Sequence, residues 1–261
     1  MVTVLICVVM FVALIGMMVC SKKQKTNPNA QPIAMGLLIV VIVCGVAMLY
    51  RTGILGDAAA GRMAAENSFT ASQGIVLGEY LAKNNPGKVL VIAEADFKTN
   101  TYTKALVEGL KTGIGAGADV VVDTIEIPSA KKANANQDPN MPDMMMPLME
   151  TMTAKDFDRT LANYPNAKVI VSLVGLPRNK SKMKLWKQKD GPKVALMNAY
   201  GNLAGLVKAG LICAVTVSKP KADYESPYPG SPKEAFNMRY ILVTTKNIDE
   251  LKAKNKKLLS M

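Results

Sequence analysis

The sequence contains no histidine, and its four cysteines form no paired motif. Without histidine the chain lacks the commonest general base and the usual zinc or copper(II) ligand. Cys7, Cys20 and Cys44 lie in strongly apolar segments and Cys213 lies in a predicted buried strand, so we expect no disulfide framework. No motif combines a nucleophile, a base and a metal ligand. We therefore expect a protein that is not an enzyme and has no metal site or cofactor.

Acidic residues are missing from the first fifty positions, and charge of either sign is missing from residues 2–19 and 33–50. Each uncharged run is long enough to cross a bilayer as a slightly short helix. Lys22, Lys23 and Lys25 lie between the two runs, and a short basic loop favours the cytoplasmic side. We predict a transmembrane hairpin over residues 1–50, with the rest of the chain outside the cytoplasm. Two alternatives are a signal segment cleaved near residues 58–60 and two buried helices of a soluble core.

The remaining chain alternates short apolar runs with helical patterns. Residues 51–72 are small, polar and punctuated by glycine, and they predict a linker that leads into a helix over residues 73–84. Residues 73–261 predict one extracytoplasmic α/β domain with a single doubly wound, mostly parallel sheet. Its strands are expected at residues 88–93, 119–127, 167–174, 194–197, 211–217 and 240–244, with helices at 101–113, 153–164, 203–207 and from 248.

Polar residues follow several of the predicted strands. In open parallel sheets, ligands bind beyond the carboxyl ends of the strands. Residues at these ends are therefore candidates for contact with a small-molecule ligand, although a solvated loop has the same composition. The candidates are Glu94, Asp96, Asn100, Asn198, Tyr200 and Ser218.

Four stretches resemble, in the same order, parts of one known family. They are GIVLGEYLAKNNPGKVLVIAEA, TLANYPNAKVIVSLVGLP, residues 192–220 and YILVTTKNIDELK. Together they resemble the C-terminal lobe of type I periplasmic sugar-binding proteins, over about residues 70–255 apart from an insertion. The resemblance implies a sugar site at the strand ends, and the membrane hairpin stands where the family has its N-terminal lobe.

The chain departs from that family at the expected ligand positions. Asn198 stands where the family has an aspartate, Ser218 where it commonly has a glutamine, and Leu106 where an arginine is expected. An Asn-Asp pair is expected near residues 173–175, which are Leu-Val-Gly here. Each departure removes charge or hydrogen-bonding reach, so the resemblance implies a degenerate site that binds sugar poorly.

An insertion over residues 129–152 is rich in methionine. Flexible thioethers favour an adaptable hydrophobic contact with a partner, the membrane surface or the domain itself, and the alternative is a copper(I) site. Of these, contact with a protein partner or another copy of the chain is the favoured interpretation. The methionines are Met141, Met144, Met145, Met146, Met149 and Met152.

A basic segment, residues 178–193, carries the single tryptophan, Trp186. Basic side chains with an aromatic side chain among them can bind single-stranded nucleic acid. The predicted outward topology argues against nucleic acid and favours headgroups or an acidic partner, with a solvated helix face as the default interpretation. Trp186 joins the methionines as a candidate partner contact.

These patterns support three hypotheses. The first is a membrane-anchored, non-enzymatic extracytoplasmic protein that serves recognition or assembly through a protein partner or homo-oligomer. The second is a receptor or sensor for a sugar-like small molecule, and the third is copper(I) handling through the insertion. All three place the protein in the cell membrane, which is the inner membrane in a bacterium with two.

Overall fold

The computed structural model describes residues 2–23, 30–51, 57–125, 148–188, 190–198, 201–256 and 258–259. The chain divides into two compact units, Met1–Ala64 and Ala65–Met261.

The first unit contains two long apolar helices, α1 (Val2–Lys23) and α2 (Ala30–Arg51), of 22 residues each. At about 1.5 Å per residue each spans about 33 Å, close to the thickness of a bilayer's hydrocarbon core. Their most apolar windows have mean hydropathies of 2.0 and 2.8, with 6% and 0% of the residues buried. Exposure of this kind does not fit two core helices of a soluble domain. By length and composition both can cross a membrane.

Helix α3 runs without interruption from Asp57 to Asn84 and crosses the boundary between the two units. The predicted linker over residues 51–72 is therefore helical from Asp57 onward. Alanine is the strongest helix former, and the alanines at 58–60 and 64–65 offset the cost of the exposed Gly61. Small, polar composition indicated a linker, although the same residues favour a helix.

The second unit is built on one six-stranded sheet in the order β2-β1-β3-β4-β5-β6. Strands β1 to β5 pair in parallel and β6 pairs antiparallel with β5, which confirms the predicted α/β, mostly parallel sheet. The strands are β1 (Val89–Ala93), β2 (Val120–Thr124), β3 (Val169–Ser172), β4 (Lys193–Met197), β5 (Ile212–Ser218) and β6 (Tyr240–Thr244).

Helices cover both faces of this sheet because successive strand residues point to opposite sides. Leu90 and Ile92 of β1 pack in one apolar core, and Val89 and Val91 in the other. Helix α3 and α4 (Thr101–Ile114) cover the second of these faces. The first is covered by the segment around α5 (Leu148–Thr151) and by α6 (Ala154–Ala162), α7 (Ala204–Lys208) and α9 (Ile248–Lys254).

Helices α3 and α4 meet backbone to backbone through glycines. A Cβ atom added at Gly109 would clash with the carbonyl oxygen of Ala71, and one at Gly113 with that of Ile75. A Cβ at Gly74 would lie 2.5 Å from the Leu110 nitrogen. Only residues without a side chain permit so close an approach.

Two local features differ from the sequence expectation. Helix α8 (Pro232–Arg239) was not predicted, although Ser231 caps it, Pro232 begins it and Glu234 follows in the first turn. The basic segment forms two short 3₁₀ turns, Lys180–Lys182 and Lys184–Lys187, before β4 begins.

Candidate functional site

A cleft of about 580 Å³ lies at the carboxyl ends of the parallel strands. We call it the strand-end cleft. Glu94 follows β1, Val174 follows β3, Asn198 follows β4 and Ser218 ends β5, and all four line it. The volume lies within the range of small-molecule pockets, about 300–1,000 Å³.

Four of the six predicted ligand residues line this cleft, namely Glu94, Asn100, Asn198 and Ser218. Asp96 lies outside the lining, in an exposed turn where its carbonyl oxygen accepts the N–H groups of Thr99 and Asn100. Tyr200 lies outside the described residues. The strand-end rule thus brings most of the candidates together, and Asp96 is separated from them because the chain turns immediately after β1.

The positions at which the chain departs from the sugar-binding family also line the cleft. Leu106 of α4 and residues 173–175 after β3 contribute apolar surface there. Gly175 has a φ of +76°, and a Cβ added to it would lie 2.9 Å from the Met149 sulfur. The end of β3 and one residue of α4 therefore give the cleft an apolar part.

Two charged residues that sequence patterns did not identify form an ion pair in the cleft. The Arg239 guanidinium donates from Nη1 to Glu66 Oε2 at 2.6 Å and from Nη2 to Glu66 Oε1 at 2.9 Å. Its Nε donates to the Asp223 carbonyl oxygen at 2.9 Å. Arg239 is 1% exposed, whereas the Glu66 side chain is 56% exposed. The buried Arg239 side chain therefore holds the exposed Glu66 carboxylate in place at the surface of the cleft.

Aromatic rings enclose the same guanidinium. Its central carbon lies 3.4 Å from the ring centroid of Phe69 and 4.9 Å from that of Tyr224. Cation–π contacts of this kind strengthen when the cation is removed from water. Beside it, burial raises the pKa of the Tyr240 phenol, so this cleft residue keeps a hydroxyl that can donate a hydrogen bond.

The prediction missed Glu66 because it lies in the segment assigned to a linker. Arg239 was missed because it falls in the unpredicted helix α8. One signal was present, since a single arginine stands directly before the buried strand β6. A charge in that position needs a partner.

Asn198 links the two helices of one face to the end of β4. Its Oδ1 accepts a hydrogen bond from Gln73 Nε2 of α3 at 2.7 Å, and its Nδ2 donates to the Tyr102 hydroxyl of α4. Its backbone N–H donates to the Thr216 carbonyl oxygen at 3.1 Å. Its φ is +50°, in the left-handed region that asparagine tolerates better than most residues. Asn198 thus joins α3, α4 and the sheet at the cleft floor.

The structure describes only the last part of the methionine-rich insertion. Met141, Met144, Met145 and Met146 lie outside the described residues, so their partner or copper role stays a prediction. Met149 is half-buried and lines the cleft. Met152 is 2% exposed within the core, so its prediction as a partner contact is wrong in this structure. Apolar side chains next to a sheet are buried by default, and Met152 lies directly before α6.

Trp186 is half-buried and packs against the core, and its indole N–H donates to the Lys180 carbonyl oxygen at 2.6 Å. A bond of this kind uses the polar end of the ring internally. The basic segment that carries it forms one wall of a second cleft, of about 730 Å³. We call this the basic cleft.

The basic cleft lies against α6 and beside the residues that precede β3 and β4. Its charged lining consists of four cations and one acid, Lys155, Arg159, Lys182, Lys184 and Asp158. Both oxygens of Asp158 accept the Lys184 N–H at 3.1 Å, and Asn179 Oδ1 accepts the Ala154 N–H at 2.7 Å. Side-chain hydrogen bonds therefore attach the 3₁₀ turns to α6.

Neither cleft contains a recognisable catalytic or metal centre among the described residues. No group of three or more His, Cys, Asp and Glu side chains is placed to hold a metal ion within the described part of the chain. Burial raises the pKa of the Cys213 thiol to about 11, so this core cysteine is neutral and a poor nucleophile. The chemistry that the strand-end cleft offers is hydrogen bonding, charge and aromatic contact.

No protein-family model matches the sequence, and no curated protein matches it significantly. Solved structures similar to the chain include a carbohydrate transporter from Acidothermus cellulolyticus in complex with myo-inositol, at 10% identity and a TM-score of 0.43 over 73% of this chain. A sugar-binding protein of an ABC transporter from Bacillus halodurans shows 14% identity and a TM-score of 0.41 over 69% of the chain. A solute-binding protein from Agrobacterium vitis with bound D-fucose shows 16% and 0.44 over 71%.

The chain spans less than two thirds of each of these structures, namely 62%, 64% and 61% of their lengths. At TM-scores below 0.5 the similarities carry no argument about the ligand of this chain. Structures similar to it thus include sugar-binding proteins of transporters.

Proposed function

We propose that this is a membrane-anchored, non-enzymatic binding protein whose α/β unit holds a small polar molecule of sugar size in the strand-end cleft. The observation that carries the proposal is the convergence of polar side chains from three strand ends and from helices α3 and α4 on one cleft of about 580 Å³. A ligand with several hydroxyl groups needs many partners at once when it leaves water. Asn67, Thr70, Asn100, Asn198 and Ser218 supply such partners.

The mixed lining also supports this proposal. Small-molecule sites combine an apolar surface with a few placed polar groups. Leu106, Met149 and Val174 give the apolar surface, which matches the C–H face of a sugar-like ring. The apolar positions that suggested a degenerate site on sequence grounds therefore act as one wall of the cleft.

A thermal-shift experiment on the full chain in neutral-lipid nanodiscs tests this proposal. Monosaccharides and polyols are titrated, and a true ligand raises the unfolding midpoint in proportion to the logarithm of its concentration above Kd. At a hundred times Kd the added stability is about 2.7 kcal/mol. Ser218→Phe places a ring in the strand-end cleft and should abolish the shift. Gln188→Phe places the same ring in the basic cleft and should leave it unchanged.

Two outcomes contradict the proposal. One is the absence of a concentration-dependent shift across the whole panel, and the other is a shift that survives Ser218→Phe but is lost with Gln188→Phe.

The membrane part of the proposal is supported by the length and exposure of α1 and α2. In the proposed topology, the lysines between the two helices lie in the cytoplasm and the α/β unit lies outside it. A cysteine introduced at Thr26 should react with an impermeant maleimide only after the cytoplasmic face is opened. Reaction in intact cells would overturn this topology.

A further inference from the structure

The strand-end cleft differs in charge from the chain that forms it. The protein has a net charge of +12, but the charged residues in the described part of the lining are Glu66, Glu94 and Arg239. None of the described lining residues is a lysine. The described lining therefore carries a net negative charge in a strongly basic protein, and charge of one sign in a cleft selects the charge of its ligand.

The only described cation in the lining, Arg239, is already engaged. Both Glu66 oxygens and the Asp223 carbonyl oxygen accept its hydrogen bonds, and Phe69 and Tyr224 lie over its guanidinium. It is 1% exposed. An anionic ligand would first have to displace Glu66 from a bidentate pair, which is among the stronger polar contacts in proteins.

A second group with partial positive charge, the start of α4, is engaged as well. Helix N-termini attract anions through their free N–H groups. Here Asn100 Oδ1 accepts the N–H groups of Tyr102 and Thr103 at 3.1 and 3.2 Å. The cap thus removes a second site at which an anion would bind.

One group that attracts cations is open by contrast. Glu94 lines the cleft and is exposed at the end of β1. The Glu66 carboxylate is 56% exposed, although Arg239 already occupies both of its oxygens. The Arg239 guanidinium and the start of α4 are thus internally paired, while the Glu94 carboxylate is exposed in the cleft.

We infer that the ligand of the strand-end cleft is a small hydroxylated cation, an amine-bearing molecule of sugar size, which it binds in preference to neutral or anionic molecules of the same shape. Glu94 contacts the ammonium group. Glu66, positioned by Arg239, accepts a hydrogen bond from the ligand. This inference rests on the proposed binding function and specifies the charge of the ligand.

The test uses three probes that share one ring and differ in charge, D-glucosamine, D-glucose and D-glucuronate. Their affinities for the full chain in neutral-lipid nanodiscs are measured by titration calorimetry at mildly acidic pH, where the amine is protonated. We expect D-glucosamine to bind about tenfold more tightly than D-glucose, and D-glucuronate more weakly than both.

Variants then locate the charge effect. Glu94→Gln should lower the affinity for D-glucosamine about tenfold and change that for D-glucose less than about twofold. Glu79→Gln is the matched control, because Glu79 is an exposed acid on α3 outside the cleft lining. It should change neither affinity.

Each contrary result has a separate meaning. If D-glucose or D-glucuronate binds as tightly as D-glucosamine, the charge inference is wrong and the proposed binding function stands. If Glu79→Gln and Glu94→Gln act equally, the effect comes from the overall field and the contact at Glu94 is wrong. If none of the three probes binds and the wider panel gives no shift, both proposals fail.

Discussion

The two clefts of the α/β unit are held together in different ways. Helices α3 and α4, which both contribute to the strand-end cleft, meet through glycine backbones, and Asn198 joins both helices to the sheet. The buried cation of this cleft is paired with Glu66. At the basic cleft, Asp158 accepts the Lys184 N–H and Asn179 accepts the Ala154 N–H, which attaches the 3₁₀ turns to α6. The strand-end cleft thus contains a buried cation, whereas the lysines of the basic cleft are exposed.

The difference shows how a strongly basic chain can contain an acidic site. Exposed lysines cost little free energy because they stay hydrated, and they act on distant charges through the electrostatic field of the whole protein. A cation at the base of a cleft must be paired, and pairing leaves its partner carboxylate fixed in place. We therefore expect changes at the strand-end cleft to cost far more stability than changes at the basic cleft.

The largest effect should come from Glu66→Gln. Removing the carboxylate leaves the buried Arg239 without its counter-charge, and breaking buried pairs in this way costs several kcal/mol. Because Glu66 is half exposed and glutamine still accepts a hydrogen bond, we expect a loss of about 2–3 kcal/mol. Denaturant unfolding followed by the fluorescence of Trp186, the only tryptophan, measures it.

The matched control is Lys155→Gln in the basic cleft, which should stay within about 0.5 kcal/mol. Combining Glu66→Gln with Arg239→Met should recover most of the loss, because no charge then remains buried. Equal effects of Glu66→Gln and Lys155→Gln would remove the contrast between the two clefts.

A somewhat smaller effect is expected from Gly109→Ala. The added methyl group would meet the Ala71 carbonyl oxygen, so α3 and α4 must separate, at a cost of about 1–3 kcal/mol. The intrinsic gain of alanine over glycine in a helix, about 1 kcal/mol, offsets part of this. We expect a net loss of about 1–2 kcal/mol by the same unfolding measurement.

Gly205→Ala provides the comparison for that variant. Gly205 lies in α7 with no atom near the position of its added Cβ, so this change should stabilise the protein by up to about 1 kcal/mol. Stabilisation by both changes would show that the α3–α4 contact tolerates a side chain.

The sequence predicted the strands and most of the cleft for a definite physical reason. Apolar runs bounded by turns locate buried strands, and the parallel arrangement brings Glu94, Asn198 and Ser218 to one edge without further information. Glu66 and Arg239 are 173 positions apart, and no local pattern relates them. The glycine contacts between α3 and α4 likewise depend on how the two helices cross. The hydrophobic period of each helix sequence does not indicate that crossing.

An intermediate effect is expected at the helix that borders the basic cleft. Asp156 accepts hydrogen bonds from the Thr153 hydroxyl at 2.6 Å and N–H at 3.1 Å and pairs with Arg159 at 2.8 Å. Desolvation would raise the pKa of Asp156, but these hydrogen bonds and the arginine charge outweigh it, and the pKa is lowered. Asp156→Asn should therefore cost about 1 kcal/mol near neutral pH.

The pH dependence identifies the cause of that loss. A carboxyl group with a lowered pKa stabilises the fold above its unfolded pKa of about 3.9, and the stabilisation disappears as the pH falls through the folded value. The stability gap between the wild type and Asp156→Asn should close under acidic conditions. A gap that is independent of pH would mean that shape, and not charge, is what the variant loses.

The smallest effect on stability should come from neutralising the basic cleft itself. Lys155→Gln with Lys184→Gln should leave the free energy of unfolding within about 0.5 kcal/mol, because both side chains are exposed. The same pair should elute earlier from a cation-exchange resin, by the amount expected for two charges. Lys187→Gln with Lys221→Gln removes two lysines outside that cleft. Equal changes in elution for the two pairs would mean that the basic cleft acts only through net charge. A larger change for Lys155→Gln with Lys184→Gln would mean that the basic cleft is a preorganised anion site. That result would remove the contrast between the two clefts.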